Sequence, residues 1–142
     1  MTQEEKYLVL KDLCSRLPYG VIVETPKGKG HICDINLTIF GTEVGVNINP
    51  TIRDTFNVED VKPYLFPPSS MTEEQKEELK DLISQQTKIL IEQLKNDDCG
   101  IDCGKYHFHS NLELEWLLKN NFDYSGLIPM DLANNATGLN IY

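Results

Sequence analysis

Hydrophobic positions along this chain change period twice, from helical to alternating and back to helical. Near the N-terminus Tyr7, Leu10, Leu13, Cys14 and Leu17 recur at helical intervals. Thr2 and Glu5 precede them at the spacing in which each side chain satisfies the other's free backbone N–H. Pro18 and Gly20 stop this helix. The period then becomes two: Val21 and Val23 lead into a Pro26–Gly30 turn. Cys33, Ile35, Leu37 and Ile39 follow on one apolar face, and Val44, Val46 and Ile48 mark a third strand. Phe56-Asn57-Val58 and Val61–Leu65 read as a short return segment in which Pro63 suits an edge. Short antiparallel strands with one apolar face are unstable as a flat ribbon. The expectation is therefore a small barrel-like, SH3-like sheet capped by the first helix.

Pro67-Pro68-Ser69-Ser70 ends that lobe, because consecutive prolines cannot continue a strand. The strongest helical pattern comes next. Thr72 and Gln75 form a capping box, Glu73 and Glu74 sit where the helix dipole favours acid, and Leu79, Leu82, Ile83, Leu90 and Leu94 draw an apolar stripe that Ile89 and Ile91 widen. This predicts a helix over residues 72–94 and a connector over 95–109. Ser110 with Glu113 then opens a C-terminal helix carrying Leu112, Trp116, Leu117 and Phe122. The tail to Ala133 is apolar enough to pack against the long helix. The fold class expected is α+β, with a helix-plus-sheet lobe at 1–66 and a helical lobe at 67–142 forming one compact unit.

Three segments carry a resemblance. Lys11–Val21 (KDLCSRLPYGV), Asp60–Leu65 with Ser69–Gln75 (DVKPYL, SSMTEEQ), and Asn121–Ile128 (NFDYSGLI) resemble a family of small uncharacterised proteins from gut Bacteroidales genomes and their phages or prophages. The chain departs from that family's pattern at Ser125, where an Arg is usual, and at Asp131, where a Gly is usual. The resemblance implies a bacterial or phage cytoplasmic setting. It transfers no catalytic residue and no cofactor.

Charge and composition narrow the function. With 22 acidic against 13 basic residues the formal net charge is −9, which excludes a general grip on nucleic acid and suits a basic protein partner. No apolar run reaches membrane-spanning length and no secretory pattern opens the chain, so a cytoplasmic location without a membrane partner is expected. Four scattered cysteines in a reducing compartment predict thiols rather than disulfides.

Chemistry concentrates at Asp97–His109 (DDCGIDCGKYHFH). Cys99, Cys103, His107 and His109 give Cys-x3-Cys-x3-His-x-His. The cysteine pair fits a zinc site, whereas the short gap and His-x-His do not. A nucleophilic reading would use Cys103 with His107 or His109 as base and Asp102 or Glu113 as orienting group. The adjacent acids Asp97, Asp98 and Asp102 oppose a thiolate there. Gly28-Lys29-Gly30 lacks phosphate-loop spacing and is a turn. His31 and Cys33 are expected on the apolar side of their strand. Trp116, Phe122 and Tyr124 read as core aromatics that become protein-contact anchors wherever they are exposed.

Two readings stand. In the first, the protein is non-enzymatic, holds no cofactor and binds an unidentified protein, as a phage or prophage modulator of a host protein would. It uses the outer face of the sheet or the long helix, and homo-oligomers through Ile89 and Ile91 belong to this reading. The alternative is a zinc-binding protein or metal-dependent hydrolase centred on Cys99, Cys103, His107 and His109.

Overall fold

The computed structural model describes residues 1–39, 41–96 and 111–142. Reciprocal hydrogen bonds open helix α1 (Gln3–Arg16): Thr2 N donates to Glu5 Oε2 at 2.6 Å, and Glu5 N donates to Thr2 Oγ1 at 3.2 Å. The helix passes into a 3-10 turn at Leu17–Tyr19 and ends on Gly20, whose φ of 74° is a left-handed conformation that glycine adopts without steric cost.

Six strands follow in a mostly antiparallel open sheet: β1 (Ile22–Thr25), β2 (Gly28–Thr38), β3 (Gly41–Asn49), β4 (Ile52–Asn57), β5 (Lys62–Leu65) and β6 (Asn134–Asn135). The spatial order is β4-β3-β2-β1-β5-β6, and among the described strands only β5 and β6 run parallel. The α+β class expected from the sequence is the one observed, and the order of β1 to β5 is compatible with an SH3-like arrangement. Among the described residues the remaining α-helices are α2 (Glu73–Asn96) and α3 (Leu112–Lys119). Thr72 and Gln75 exchange the two hydrogen bonds expected at the start of α2. At α3 Asn111 Oδ1 accepts from Leu114 N at 3.1 Å, while Ser110 lies outside the described residues.

The chain divides into two compact units that do not follow the boundary at 67. One is Met1–Ser70 together with Leu118–Tyr142, and the other is Met71–Leu117. The tail joins the first unit because non-local backbone pairing captures it. Phe66 N donates to Asn121 O and Asp123 N donates to Phe66 O, both at 2.8 Å, and Tyr64 and Leu65 pair with Asn134 and Asn135. Leu127, Leu132 and Ala133 accordingly share a core with Val9, Leu13 and Val44.

Two faces differ from expectation. On α1 the buried residues are Val9, Asp12, Leu13 and Arg16, leaving Tyr7 and Cys14 exposed. In β2 a register shift between Ile32 and Asp34 interrupts the alternation. Ile32 is buried, Cys33 and Ile35 are half-buried, and His31 is exposed rather than packed. Leu37 and Ile39, expected on the buried face, are 85% and 94% exposed.

Candidate protein-contact site

The β2–β3 hairpin explains that exposure. Its pairing continues from His31↔Asn47 to Thr38↔Gly41, and Thr38 Oγ1 donates to Gly41 O at 3.0 Å. Gly41 has φ of 133°, a conformation costly for any residue with a Cβ. The ladder therefore extends past the last core residues of these strands and carries Leu37 and Ile39 into solvent. Each large aliphatic side chain left in water forgoes about 1.5–3 kcal/mol that burial would recover.

Gly41 and Thr42, immediately after the tip, form one wall of a 380 Å³ groove whose other walls include Tyr7 and Leu10 of α1 and Val58. Tyr7 is 64% exposed beside it. An ion pair between Lys6 and Glu59 also lines the groove, and the hydrogen bond from Lys6 holds the Glu59 carboxyl below its usual range. The combination of apolar side chains, one aromatic ring and a charged rim is the composition of a protein-contact surface.

Elsewhere in this unit several polar groups are matched to one another. Arg53 donates to Asp34 Oδ2, with Nε at 3.0 Å, and this bond is the main reason the Asp34 carboxyl lies below its usual range. The Cys33 thiol donates to the same oxygen at 3.4 Å. Tyr64 donates its hydroxyl to Glu24, and Lys29 Nζ lies 4.7 Å from its ring centroid. Burial, reinforced by Glu24, pushes the Tyr64 phenol up to about 12, far from the range in which it could exchange protons at neutral pH. Tyr142 donates to Tyr64 O at 2.6 Å and accepts from Ile22 N at 3.2 Å; burial raises its phenol to about 12 as well.

A buried polar centre joins α1 to the tail. Arg16 and Asp12 have side chains with no solvent exposure, and the guanidinium donates twice to the carboxylate, with Nε–Oδ2 at 2.7 Å and Nη2–Oδ1 at 3.1 Å. Arg16 Nη2 also reaches Phe122 O at 2.7 Å, Ser125 Oγ donates to Asp12 at 3.2 Å, and the guanidinium carbon lies 5.5 Å from the Tyr124 ring centroid. Asp123 completes the tie by accepting from Leu127 N and Ile128 N, both at 2.8 Å. With its carboxylates satisfied and sealed from solvent, this centre is built to hold the chain together.

The residues singled out from the sequence fall in three groups. Cys99, Asp102, Cys103, His107 and His109 lie outside the described residues. Trp116 and Phe122 are buried, Phe122 with its ring centroid 6.2 Å from that of Phe66, and Tyr124 is half-buried beside Arg16. These aromatics serve the chain's own packing. Ile89 and Ile91 are exposed, but two positions on an α-helix are about 200° apart, so a single partner surface takes one of them. Among the described residues no group of three or more His, Cys, Asp and Glu is arranged to hold a metal, and no described helix is long and apolar enough to cross a membrane. Leu37 and Ile39 were missed as surface residues because strand alternation says which positions share a face and not where the core ends. Comparison of the chain with protein-family models, curated proteins and solved structures finds no match.

Proposed function

We propose that this protein is a non-enzymatic binding module whose partner is a protein with an apolar cleft set in a basic surface. The observation that carries this reading is the hairpin tip, where Leu37 and Ile39 stand 85% and 94% exposed next to the residues that wall the groove. The net charge of −9 gives the sign of the partner: opposite charge speeds encounter, and an apolar cleft supplies the burial that the tip lacks. The bacterial or phage setting implied by the resemblance makes a cytoplasmic modulator of a host protein the natural role. The described side chains support contact better than chemistry, since the two charged groups lining the groove, Lys6 and Glu59, are paired with each other.

The test has two stages. A photo-cross-linking side chain at position 39, introduced in the source cell, nominates a partner, which is then purified and titrated. The double variant Leu37→Asp/Ile39→Asp removes burial worth roughly 3 kcal/mol, on the order of a hundredfold in affinity, while leaving the circular dichroism spectrum unchanged. Wild-type affinity should also fall as salt rises. Undiminished binding by the double variant, or an acidic partner insensitive to salt, would overturn the proposal.

A further inference from the structure

Helix α2 raises a separate question, because none of its described side chains is buried. Gln75, Leu79, Leu82 and Gln86 are half-buried, at successive spacings of four, three and four, and Ile83 and Ile89 beside them are exposed. A helix of 24 residues, about 36 Å long, therefore carries an apolar seam whose described side chains are half-buried or exposed.

The seam reads the same in both directions. Around Gln86 the sequence runs Leu82-Ile83-Ser84-Gln85-Gln86-Thr87-Lys88-Ile89-Leu90, so Leu-Ile on one side is mirrored by Ile-Leu on the other. At about 100° per residue, positions 82, 83, 86, 89 and 90 fall within an arc of about 120°, while Glu77, Asp81, Ser84 and Lys88 occupy the opposite side. Ile91 lies off this arc.

We infer that α2 pairs with α2 of a second copy of this chain, antiparallel, about a two-fold axis at Gln86. In such an isologous contact Ile83 meets Ile89 of the second copy, Leu82 falls opposite position 90, and Gln86 meets Gln86. Each glutamine amide offers donors and an acceptor, so the two satisfy each other on the axis. A polar residue in an apolar seam fixes register, because a slip by one turn would set the amides against aliphatic side chains.

Charge selects the direction. Residues 76–84 hold Lys76 and Lys80 against Glu77, Glu78 and Asp81, a net of 2 − 3 = −1, whereas residues 88–96 hold Lys88 and Lys95 against Glu92, a net of 2 − 1 = +1. Antiparallel pairing sets these stretches side by side. Parallel pairing sets each against its like. The helix dipoles also favour the antiparallel arrangement. A seam of this length buries on the order of 1,000 Å² in total, at the lower edge of a specific interface, so the dimer is concentration-dependent in the micromolar range.

Sedimentation equilibrium of the full chain from about 1 µM to 1 mM should show the mass doubling. Ile83→Lys, at an exposed position that leaves the monomer's fold intact, should shift the midpoint at least tenfold to higher concentration. A monomer at all concentrations, or a dimer indifferent to Ile83→Lys, would overturn the inference. Direction is read by oxidative cross-linking with the four native cysteines replaced by serine. Gln86→Cys on the axis should cross-link to itself, whereas Leu79→Cys should not; self-cross-linking by Leu79→Cys would mean a parallel pair and overturn the antiparallel arrangement. The hairpin tip is untouched by these variants, so a failed dimer leaves the partner-binding proposal to its own test.

Discussion

Replacing Arg16 with Met tests whether the buried polar centre holds the first unit together. The substitution keeps the stem's bulk and removes the guanidinium, so packing is nearly preserved while Asp12 loses two hydrogen bonds and Phe122 O loses one. Asp12 then keeps Ser125 Oγ, at 3.2 Å, as its remaining side-chain donor. Removing one member of a buried ion pair typically costs about 3–5 kcal/mol, chiefly because the survivor is left charged in a low-dielectric interior. At roughly 3–4 °C per kcal/mol for a chain of this size, the melting temperature should fall about 10–20 °C. Urea denaturation followed by far-ultraviolet circular dichroism gives the free energy. A double variant, Asp12→Leu/Arg16→Met, removes both charges and should be less destabilised than Arg16→Met alone. A loss below about 1 kcal/mol for the single variant, or a double variant no less destabilised than the single one, would refute the reasoning.

Asp123→Ala removes the acceptor for Leu127 N and Ile128 N and should cost about 2–3 kcal/mol in the same denaturation experiment. For Tyr64 the folded-state phenol lies at about 12, above its ordinary 10, so folding favours the neutral form. Its contribution is complete below pH 10 and is lost as pH rises from 10 through 12. Tyr64→Phe should therefore flatten the alkaline side of the stability profile, which denaturation at a series of pH values measures. Gly30→Ala would place a Cβ 2.6 Å from both the Asn47 carbonyl oxygen and Val46 Cγ1. Because one neighbour is backbone of the paired strand, the substitution should lower stability by about 1–3 kcal/mol in a thermal melt, with the β2–β3 ladder displaced.

Helix starts were the most legible part of this chain, because a capping box is a local device: Thr2 with Glu5 and Thr72 with Gln75 make the bonds their spacing implies. Strand positions were legible at Val21 and Val23, but in β2 the alternation favours His31 and Cys33, whereas the shift of register before Asp34 puts Ile32 and Ile35, three apart, against one core. The inner face of α1 was hidden by chemistry. Two of its four buried residues are Asp12 and Arg16, which enter the interior only as a pair, and a hydrophobic pattern cannot register them. The tail was misplaced because a two-residue parallel strand at Asn134–Asn135, docked on β5 from about seventy residues away, has no local signature. Alternation assigns Leu37 and Ile39 to the right kind of element with the wrong exposure, and of the candidate contact residues Ile89 and Ile91 fall on faces that helical geometry divides.

The segments Lys11–Val21, Asp60–Leu65 and Asn121–Ile128 supply much of the interior of the first unit. Asp12 and Arg16 lie in the first, Val61, Tyr64 and Leu65 in the second, and Phe122, Asp123 and Leu127 in the third, and all eight are buried. Their interactions are mutual across long sequence distances: Arg16 bonds Phe122, and Phe66 beside the second segment pairs with Asn121 and Asp123. A change in one therefore demands a change in another, whereas Leu37, Ile39, Ile83 and Ile89 meet no such constraint. The surfaces proposed for binding and self-pairing lie outside all three segments. Those segments are thus held by the scaffold, whereas the proposed contact residues can change at little cost to folding.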